Sequence, residues 1–208
     1  MKKILFVATF LLLPGMLLLA SSVSVLPKPV SLTLKQGKFN LKGNLHLIYP
    51  KEDSVLKKAA DFMARELHEK TGQEIILGTK LTKKACLVLS RWATKQTEAY
   101  HLQVLPYGIR LAVSDYQGAI YGMQTLLQLM PVSVYAKREV GAKSVHLSVP
   151  CVSVVDYPRF HYRGMHLDVS RHFFNAQEVK QYIDYLSMHK MNVFHWHGET
   201  FELPANAS

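Results

Sequence analysis

The feature that most constrains the fold is a strand–helix–strand pattern that runs from Arg163 to His197. Residues 163–168 alternate as a strand does, and residues 193–197 form a second short run with strand character. The joints to the segment between them are short. The pattern therefore predicts a βαβ unit, and such units build parallel sheets because their two strands run in the same direction.

The segment between the two strands carries the signals of one helix. Asn175 is the predicted N-cap, because Glu178 follows it at the spacing of a capping box. One apolar helical face is then formed by Val179, Tyr182, Ile183 and Leu186. Lys190 is predicted to close the last turn, with Asn192 as the C-cap.

Several short motifs occur in order across this unit: Pro158-Arg159-Phe160, Arg163-Gly164, Leu167-Asp168, Arg171, Phe173 and His195-Trp196-His197. Together they resemble the opening of the catalytic barrel of family-20 glycoside hydrolases, the β-N-acetylhexosaminidases. The resemblance implies that a (β/α)8 TIM barrel begins here. Two strands and one helix cannot close a sheet of eight, so the barrel is expected to be incomplete in this sequence.

The preceding part of the chain is predicted to be a small α+β domain, a sheet with two covering helices. Strands are predicted over 30–34, 45–49, 75–77, 86–89, 100–104 and 109–113. The runs 75–77 and 86–89 are continuously apolar, which indicates buried central strands. Gly37 and Gly43 are assigned to turns between the first two strands, and Pro106-Tyr107-Gly108 to a hairpin turn.

Two helices are predicted in this domain. The first is capped by Asp53 or Ser54 and ends at Gly72, and the second runs from about Tyr116 to Met130. Gly118 and Gly122 lie four residues apart on the second helix, which predicts that a neighbouring element approaches that face closely.

This domain also resembles a known one. Residues 98–102, 108–109 and 118–129 are similar to the non-catalytic domain that precedes the barrel in the same enzymes. The predicted division is a signal peptide at 1–22, a hexosaminidase-type N-terminal α/β domain at 23–152, and the start of the catalytic barrel at 153–208.

The N-terminus has the pattern of a secretory leader. Lys2 and Lys3 precede an unbroken apolar run from Ile4 to Ala20, and Ser22 suits cleavage. A retained membrane anchor is the alternative, but Pro14-Gly15 within the run disfavours a stable spanning helix. We therefore expect export to the periplasm, cell surface or exterior, without stable membrane insertion once the leader is removed.

Charge and cysteine usage narrow the partners. The formal net charge is +10, from 25 basic and 15 acidic residues, but no basic run is interleaved with aromatic residues. Nucleic acid is therefore not an expected partner. Cys86 and Cys151 could form a disulfide in an exported chain or remain as two buried thiols, and they lack metal-ligand spacing.

Three substrate-binding residues are expected: Arg163, Asp168 and His197. The resemblance implies this role for Arg163, whereas Asp168 is a candidate because it ends the first strand at the face where barrel sites form. A guanidinium can serve two adjacent sugar hydroxyls, which is the role the family gives to the arginine of its Arg-Gly pair. The alternative for Arg163 is a structural ion pair with Asp168, and Asp168 either contacts ligand or holds Arg171. His195 and His197 lie on one face of a strand; zinc ligation is the less favoured alternative to hydrogen bonding, and no cofactor is expected.

The resemblance also implies a function. Family members remove terminal N-acetyl-glucosamine or -galactosamine from glycans by a retaining mechanism in which a catalytic Glu is the acid and an Asp orients the substrate's acetamido group. That pair lies beyond this sequence in the family pattern, and Glu199 and Glu202 do not align with it. The chain is therefore expected to be an inactive portion of such an enzyme. The alternatives are a non-catalytic glycan-binding module or a remnant without function.

Overall fold

The structure, a computed structural model, describes residues 23–41, 43–82, 86–135 and 147–198. The predicted leader and the residues from Glu199 onward lie outside this part of the chain. The strands are β1 (Ser31–Asn40), β2 (Leu45–Ile48), β3 (Ile75–Gly78), β4 (Cys86–Arg91), β5 (Tyr100–Leu105), β6 (Gly108–Val113), β7 (Ser148–Asp156), β8 (Gly164–Asp168) and β9 (Val193–His197). The helices are α1 (Ser54–Thr71), α2 (Tyr116–Leu129) and α3 (Ala176–Met188), with a 3-10 turn at Val132–Tyr135.

Seven strands form one mixed sheet in the order β1-β7-β5-β6-β4-β2-β3. The pairs β2–β3, β2–β4 and β4–β6 are parallel, and the β5–β6 hairpin, β5–β7 and β1–β7 are antiparallel. Helices α1 and α2 pack against this sheet, with contacts from α1 to β3 and from α2 to β5 and β6. The predicted α+β domain with two covering helices is therefore confirmed.

Two strand predictions are wrong in detail. The run at 75–77 lies in β3 at the edge of the sheet, where its side chains are only half-buried or exposed, and not at the centre. Gly37, predicted in a turn, lies inside the long strand β1, where the pairing with β7 shifts register between Leu34 and Lys38. Its φ of 94° lets the backbone bulge without ending the strand.

The two helices of this domain begin and end as the sequence predicts. The Asp53 carboxylate accepts a hydrogen bond from the Leu56 amide, and Gly72 is the left-handed C-cap of α1. The α2 N-cap is Asp115, whose side chain accepts from the Gly118 amide. Leu56, Met63, Met123 and Leu126 are among the fully buried core residues that these helices contribute.

The predicted close approach at the paired glycines of α2 is confirmed. A Cβ at Gly118 would collide with the backbone of Ala99, and a Cβ at Gly122 would collide with the Leu111 side chain. The absence of side chains at these two positions therefore lets α2 lie directly on β5 and β6.

The βαβ unit is confirmed, because β8 and β9 form a parallel pair in which His166 stands beside His195 and Asp168 beside His197. The Asn175–Glu178 capping box is present as predicted.

The predicted end of α3 is wrong. The helix ends at Met188 with His189 as its C-cap, and Lys190 follows in a left-handed conformation. The Asn192 side chain instead accepts from the Arg163 amide and donates to the His161 carbonyl.

The structure also shows where β7 ends and where the two cysteines lie. Strand β7 continues past Val152, the predicted domain end, to Asp156. Cys86 on β4 and Cys151 on β7 are both free, and β5 and β6 separate their strands. Among the helices of the described residues, none has the length and apolar character that crossing a bilayer requires.

Candidate functional site

The β8–β9 pair has one apolar and one polar face. On the apolar side the Tyr182 ring of α3 lies 5.8 Å from the Phe194 ring, and Phe194 stacks on Trp196 with centroids 6.3 Å apart. The other face carries His166, Asp168, His195 and His197, because alternate residues of a strand point to one side. The ring centroids of His166 and His195 are 4.9 Å apart.

Asp168 is the centre of the polar groups at the carboxyl end of β8. Its Oδ1 accepts from the Ser170 hydroxyl at 2.6 Å and from the Ser170 amide at 3.0 Å. The Nδ1 atom of His197 lies 3.5 Å from Asp168 Oδ1, and the Arg171 Nε lies 3.3 Å from Oδ2. The Ser170 hydroxyl, followed by the Ser170 amide, His197 and the Arg171 backbone, holds the pKa of Asp168 well below its usual range, so the carboxylate is ionised at neutral pH.

Arg171 presents the least covered charge of this group. Its side chain is 84% exposed, and its contact with Asp168 is a single 3.3 Å ion pair between residues three apart. Most of its guanidinium donors are therefore open to solvent, beside a fixed carboxylate and at the strand end where barrel enzymes carry their sites.

Arg163 lies at the opposite, amino-terminal end of β8. Its Nε donates to the Lys190 carbonyl at 2.8 Å, and its Nη1 donates to the carbonyls of Phe160 and His161. Its Nη2 donates to Glu98 Oε2 at 2.5 Å and to the Tyr121 hydroxyl at 2.8 Å. An arginine has five N–H donors, and here each one has a protein partner.

The predicted site residues are thus divided between two ends of the unit. Asp168 and His197 are brought together at the carboxyl end, whereas Arg163 lies in the contact between the N-terminal domain and the βαβ unit. Asp168 forms its ion pair with Arg171, as one of the two roles considered for Asp168 predicted. The alternative pair of Asp168 with Arg163 is not formed, because Arg163 pairs with Glu98. The sequence did contain a signal that distinguishes the two arginines. Arg163 precedes β8 and Arg171 follows it, and barrel sites form at the carboxyl ends of strands.

A buried polar network at the same domain contact was missed by the sequence analysis. The Lys190 ammonium donates to Asp156 Oδ2 at 2.9 Å and to the Tyr100 hydroxyl at 2.8 Å. The Tyr100 hydroxyl also lies 2.6 Å from Thr125 Oγ1 and donates to Asp156 Oδ2 at 3.0 Å. Burial lowers the pKa of Lys190, opposed by the Asp156 charge, and raises the pKa of Tyr100.

A metal centre is not formed by the residues that the structure places. Within those ranges, no group of three or more His, Cys, Asp or Glu side chains is arranged to hold a metal ion. The polar face of β8 and β9 therefore offers a carboxylate, imidazoles and a guanidinium as hydrogen-bonding groups, a set suited to a polyhydroxylated ligand.

The family follows from comparison with known proteins. The model for glycosyl hydrolase family 20, domain 2, matches residues 22–157, and the model for the catalytic domain of that family matches residues 160–200. The chain belongs to glycosyl hydrolase family 20. The resemblance seen in the sequence is thereby confirmed for both parts of the chain.

Relatives of this family-20 chain are β-hexosaminidases. It is 33% identical over 178 residues to the β-hexosaminidase of Porphyromonas gingivalis, covering 84% of this chain and 22% of that protein. It is 35% identical over 179 residues to the β-hexosaminidase of Vibrio furnissii, covering 86% of this chain and 26% of that protein. The chain therefore spans about a quarter of the length of these relatives.

Solved structures agree with this placement. A mutant Streptomyces plicatus β-hexosaminidase in complex with the product GlcNAc superposes with a TM-score of 0.72 at 29% identity, covering 83% of this chain and 34% of that chain. The family-20 exo β-N-acetylglucosaminidase of Vibrio harveyi in complex with N-acetylglucosamine gives a TM-score of 0.66 at 29% identity, covering 83% and 25%. These matches confirm an N-terminal α+β domain followed by the start of a catalytic barrel.

Proposed function

We propose that this chain is a portion of an exo-acting β-N-acetylhexosaminidase that removes terminal N-acetylglucosamine or N-acetylgalactosamine from glycans with retention of configuration. The observation that carries the proposal is the polar group Asp168, Arg171 and His197 at the carboxyl ends of two parallel strands, within a segment that matches the family-20 catalytic domain. Export through the 1–22 leader is part of the proposal, because extracellular glycans would then be accessible.

The protonation state of Asp168 defines what it can do in such a site. A carboxylate with a lowered pKa stays ionised and accepts hydrogen bonds, which suits the hydroxyl groups of a pyranose. The same shift makes it a poor general acid, because a proton donor to the leaving oxygen needs a raised pKa. Asp168 is therefore a binding group in this proposal, and the acid and the acetamide-orienting carboxylate are supplied by other residues of the complete enzyme.

We propose Arg171 as the arginine that contacts sugar hydroxyls, in place of Arg163. Every N–H of Arg163 has a protein acceptor, so a sugar would have to break an existing bond to use it. Arg171 is exposed and already oriented by Asp168, so its planar fork is free to bind two adjacent hydroxyls. His197, 3.5 Å from Asp168, adds a ring nitrogen beside them.

The test is a titration of the 208-residue protein with N-acetylglucosamine, followed by backbone amide NMR. Weak binding is expected, because an open site leaves the sugar in water and hydroxyl hydrogen bonds then contribute little net affinity. Shifts should be concentrated at Val169, Ser170 and His197, and they should be lost in Arg171→Lys and Asp168→Asn. Arg91→Lys is the matched control, because it makes the same substitution in a surface ion pair of the N-terminal domain.

Two results would contradict the assignment. Shifts centred on Arg163 and Phe160 would place the sugar at the amino-terminal end, and no shifts at all would remove the sugar site from this chain.

Cleavage of an aryl N-acetyl-β-glucosaminide is not expected, because the family pattern places the catalytic pair beyond this sequence. Turnover that disappears in Glu199→Gln would give the residues after Gly198 a catalytic role.

A further inference from the structure

Backbone strain in this protein coincides with the contact between its two parts. Within the described ranges, two non-glycine residues have left-handed backbones, Glu98 at φ 56° and Lys190 at φ 59°. Such a conformation is costly for residues with a Cβ and persists where the surroundings enforce it. Each of the two carries a charge that is paired across the domain contact, Glu98 with Arg163 and Lys190 with Asp156.

Arg163 connects three segments at the start of β8. Through Glu98 and Tyr121 it reaches the N-terminal domain, and through the carbonyls of Phe160 and His161 it fixes the linker. Its Nε bond to the Lys190 carbonyl reaches the turn that leads into β9. The Arg163 side chain is 14% exposed and that of Glu98 is 15% exposed, so the pair is shielded from water.

Lys190 performs the same task for β9. Its side chain is directed back into the N-terminal domain, where Asp156 at the end of β7 and Tyr100 on β5 receive it. The left-handed backbone at Lys190 gives the turn between α3 and β9 the direction it needs, while the Asn192 and Val193 amides donate to the Arg163 carbonyl. The amino-terminal ends of β8 and β9 are thus fixed to one another and to the first domain.

We infer that Arg163 and Lys190 are positioning residues, which clamp the amino-terminal ends of β8 and β9 to the N-terminal domain and so align Asp168 with His197 at the carboxyl ends. A register shift of one residue in a strand pair moves every side chain to the other face, so the stagger set at one end decides which groups meet at the other. The role in sugar binding rests on the proposed function; the clamp itself does not.

The alignment can be measured without a ligand. The Val169 amide donates to the His197 carbonyl at 2.9 Å, at the carboxyl end of the pair, so its hydrogen exchange reports whether that end is aligned. The His197 imidazole resonances give a second signature beside Asp168. The variants are Arg163→Lys, which keeps the charge but loses the fork, and Lys190→Met, which keeps the length but loses the charge. Arg91→Lys serves as the matched control.

Exchange at Val169 should accelerate by about tenfold or more in both variants, as expected for loss of charge-assisted hydrogen bonds that hold the unit. The His197 resonances should shift, while amides of β5 and β7 such as Leu102 and Val154 should lose much less protection than Val169 does. Equal acceleration across the seven-stranded sheet, or unchanged exchange at Val169, would overturn the positioning role.

The sugar titration separates the two proposals. Loss of N-acetylglucosamine shifts in both variants, with Arg91→Lys unaffected, supports the link from clamp to site. Retention of sugar binding despite a displaced His197 overturns that link. If the unaltered chain binds no sugar, the proposed function fails, and the Val169 and His197 measurements still decide the clamp.

Discussion

Substitution of Gly118 by alanine should destabilise the protein, although alanine is the better helix former. A Cβ at this position would meet the carbonyl oxygen, carbonyl carbon and amide nitrogen of Ala99. That backbone cannot move freely, because the Ala99 carbonyl accepts from the Ser114 amide and the Ala99 amide donates to the Ser114 hydroxyl. The neighbouring Glu98 is already held in a left-handed conformation.

The magnitude follows from two opposed effects. Replacing glycine by alanine inside a helix gains about 1 kcal/mol in helix propensity. Overpacking against fixed backbone costs about 3 kcal/mol, the upper part of the usual range. The expected net loss for Gly118→Ala is therefore ~2 kcal/mol. For a protein of 208 residues this corresponds to a drop of about 4–8 °C in melting temperature.

Gly122→Ala provides the matched comparison in the same helix. Its Cβ would meet the Leu111 methyl groups and an edge of the Tyr100 ring instead of backbone. The methyl groups can move, so part of the overlap can relax and the net loss should be smaller. Gln117→Ala, at an exposed position of α2, should leave the free energy of unfolding nearly unchanged. Urea unfolding followed by circular dichroism measures all three. A Gly118→Ala protein as stable as the original would refute the close approach of α2 to Ala99.

Two further outcomes follow from the buried hydroxyl and the helix cap. Burial, with the Asp156 charge, raises the pKa of Tyr100 above its ordinary value of 10.0. Above pH 10 the tyrosine therefore ionises in the unfolded chain but stays protonated in the folded protein, so the free energy of unfolding falls as the pH rises; below pH 10 it is unaffected. This loss is about 1.4 kcal/mol per pH unit, and urea unfolding of Tyr100→Phe should not show it. The same dependence of unfolding free energy on pH in both proteins would contradict the prediction. Asn175→Ala removes the acceptor for two α3 amides and should cost about 1 kcal/mol, seen as faster amide exchange in the first turn, whereas Gln177→Ala should not; equal exchange in both variants would argue against the cap.

Local sequence patterns predicted the elements well because their determinants are close in the chain. The Asn175–Glu178 capping box, the Gly72 cap and the alternation in β8 each depend on residues within one or two turns. The α2 glycine pair was also interpretable, since small residues at helical spacing mark a close contact. By contrast, the edge position of β3 depends on strand order, which short apolar runs do not determine.

The part of the site that was not predicted depends on contacts distant in sequence. Lys190 was assigned to a helix end because basic residues are common there, but 34 residues separate it from Asp156 and 90 from Tyr100. Arg163 and Glu98 are 65 residues apart. Only the folded arrangement shows that these charges meet. It also shows that the Arg163 donors are all bonded at the domain contact, whereas Arg171 stays exposed.

The buried pair of Lys190 and Asp156 allows the energetic role of that domain contact to be isolated. Asp156→Asn should be the most damaging change, at about 3–5 kcal/mol, because it leaves a buried ammonium without its counter-charge. Lys190→Met should cost less, since Asp156 still accepts from Tyr100 and from the Val30 amide. The double variant removes both charges and should be more stable than the sum of the single losses predicts.

The pH dependence of the Asp156→Asn protein gives an independent check. Burial lowers the pKa of Lys190 in the folded protein, because the charged ammonium is destabilised there. Between the folded pKa and the ordinary value of 10.5, only the unfolded chain keeps this proton, so the free energy of unfolding should rise with pH. Urea unfolding of Asp156→Asn should therefore show stability recovering with pH relative to the double variant. The exposed pair of Lys57 and Asp61 is the control, and Lys57→Met should have no measurable effect. Strict additivity of the two buried substitutions at all pH values would show that the contact is held together by packing and not by this ion pair.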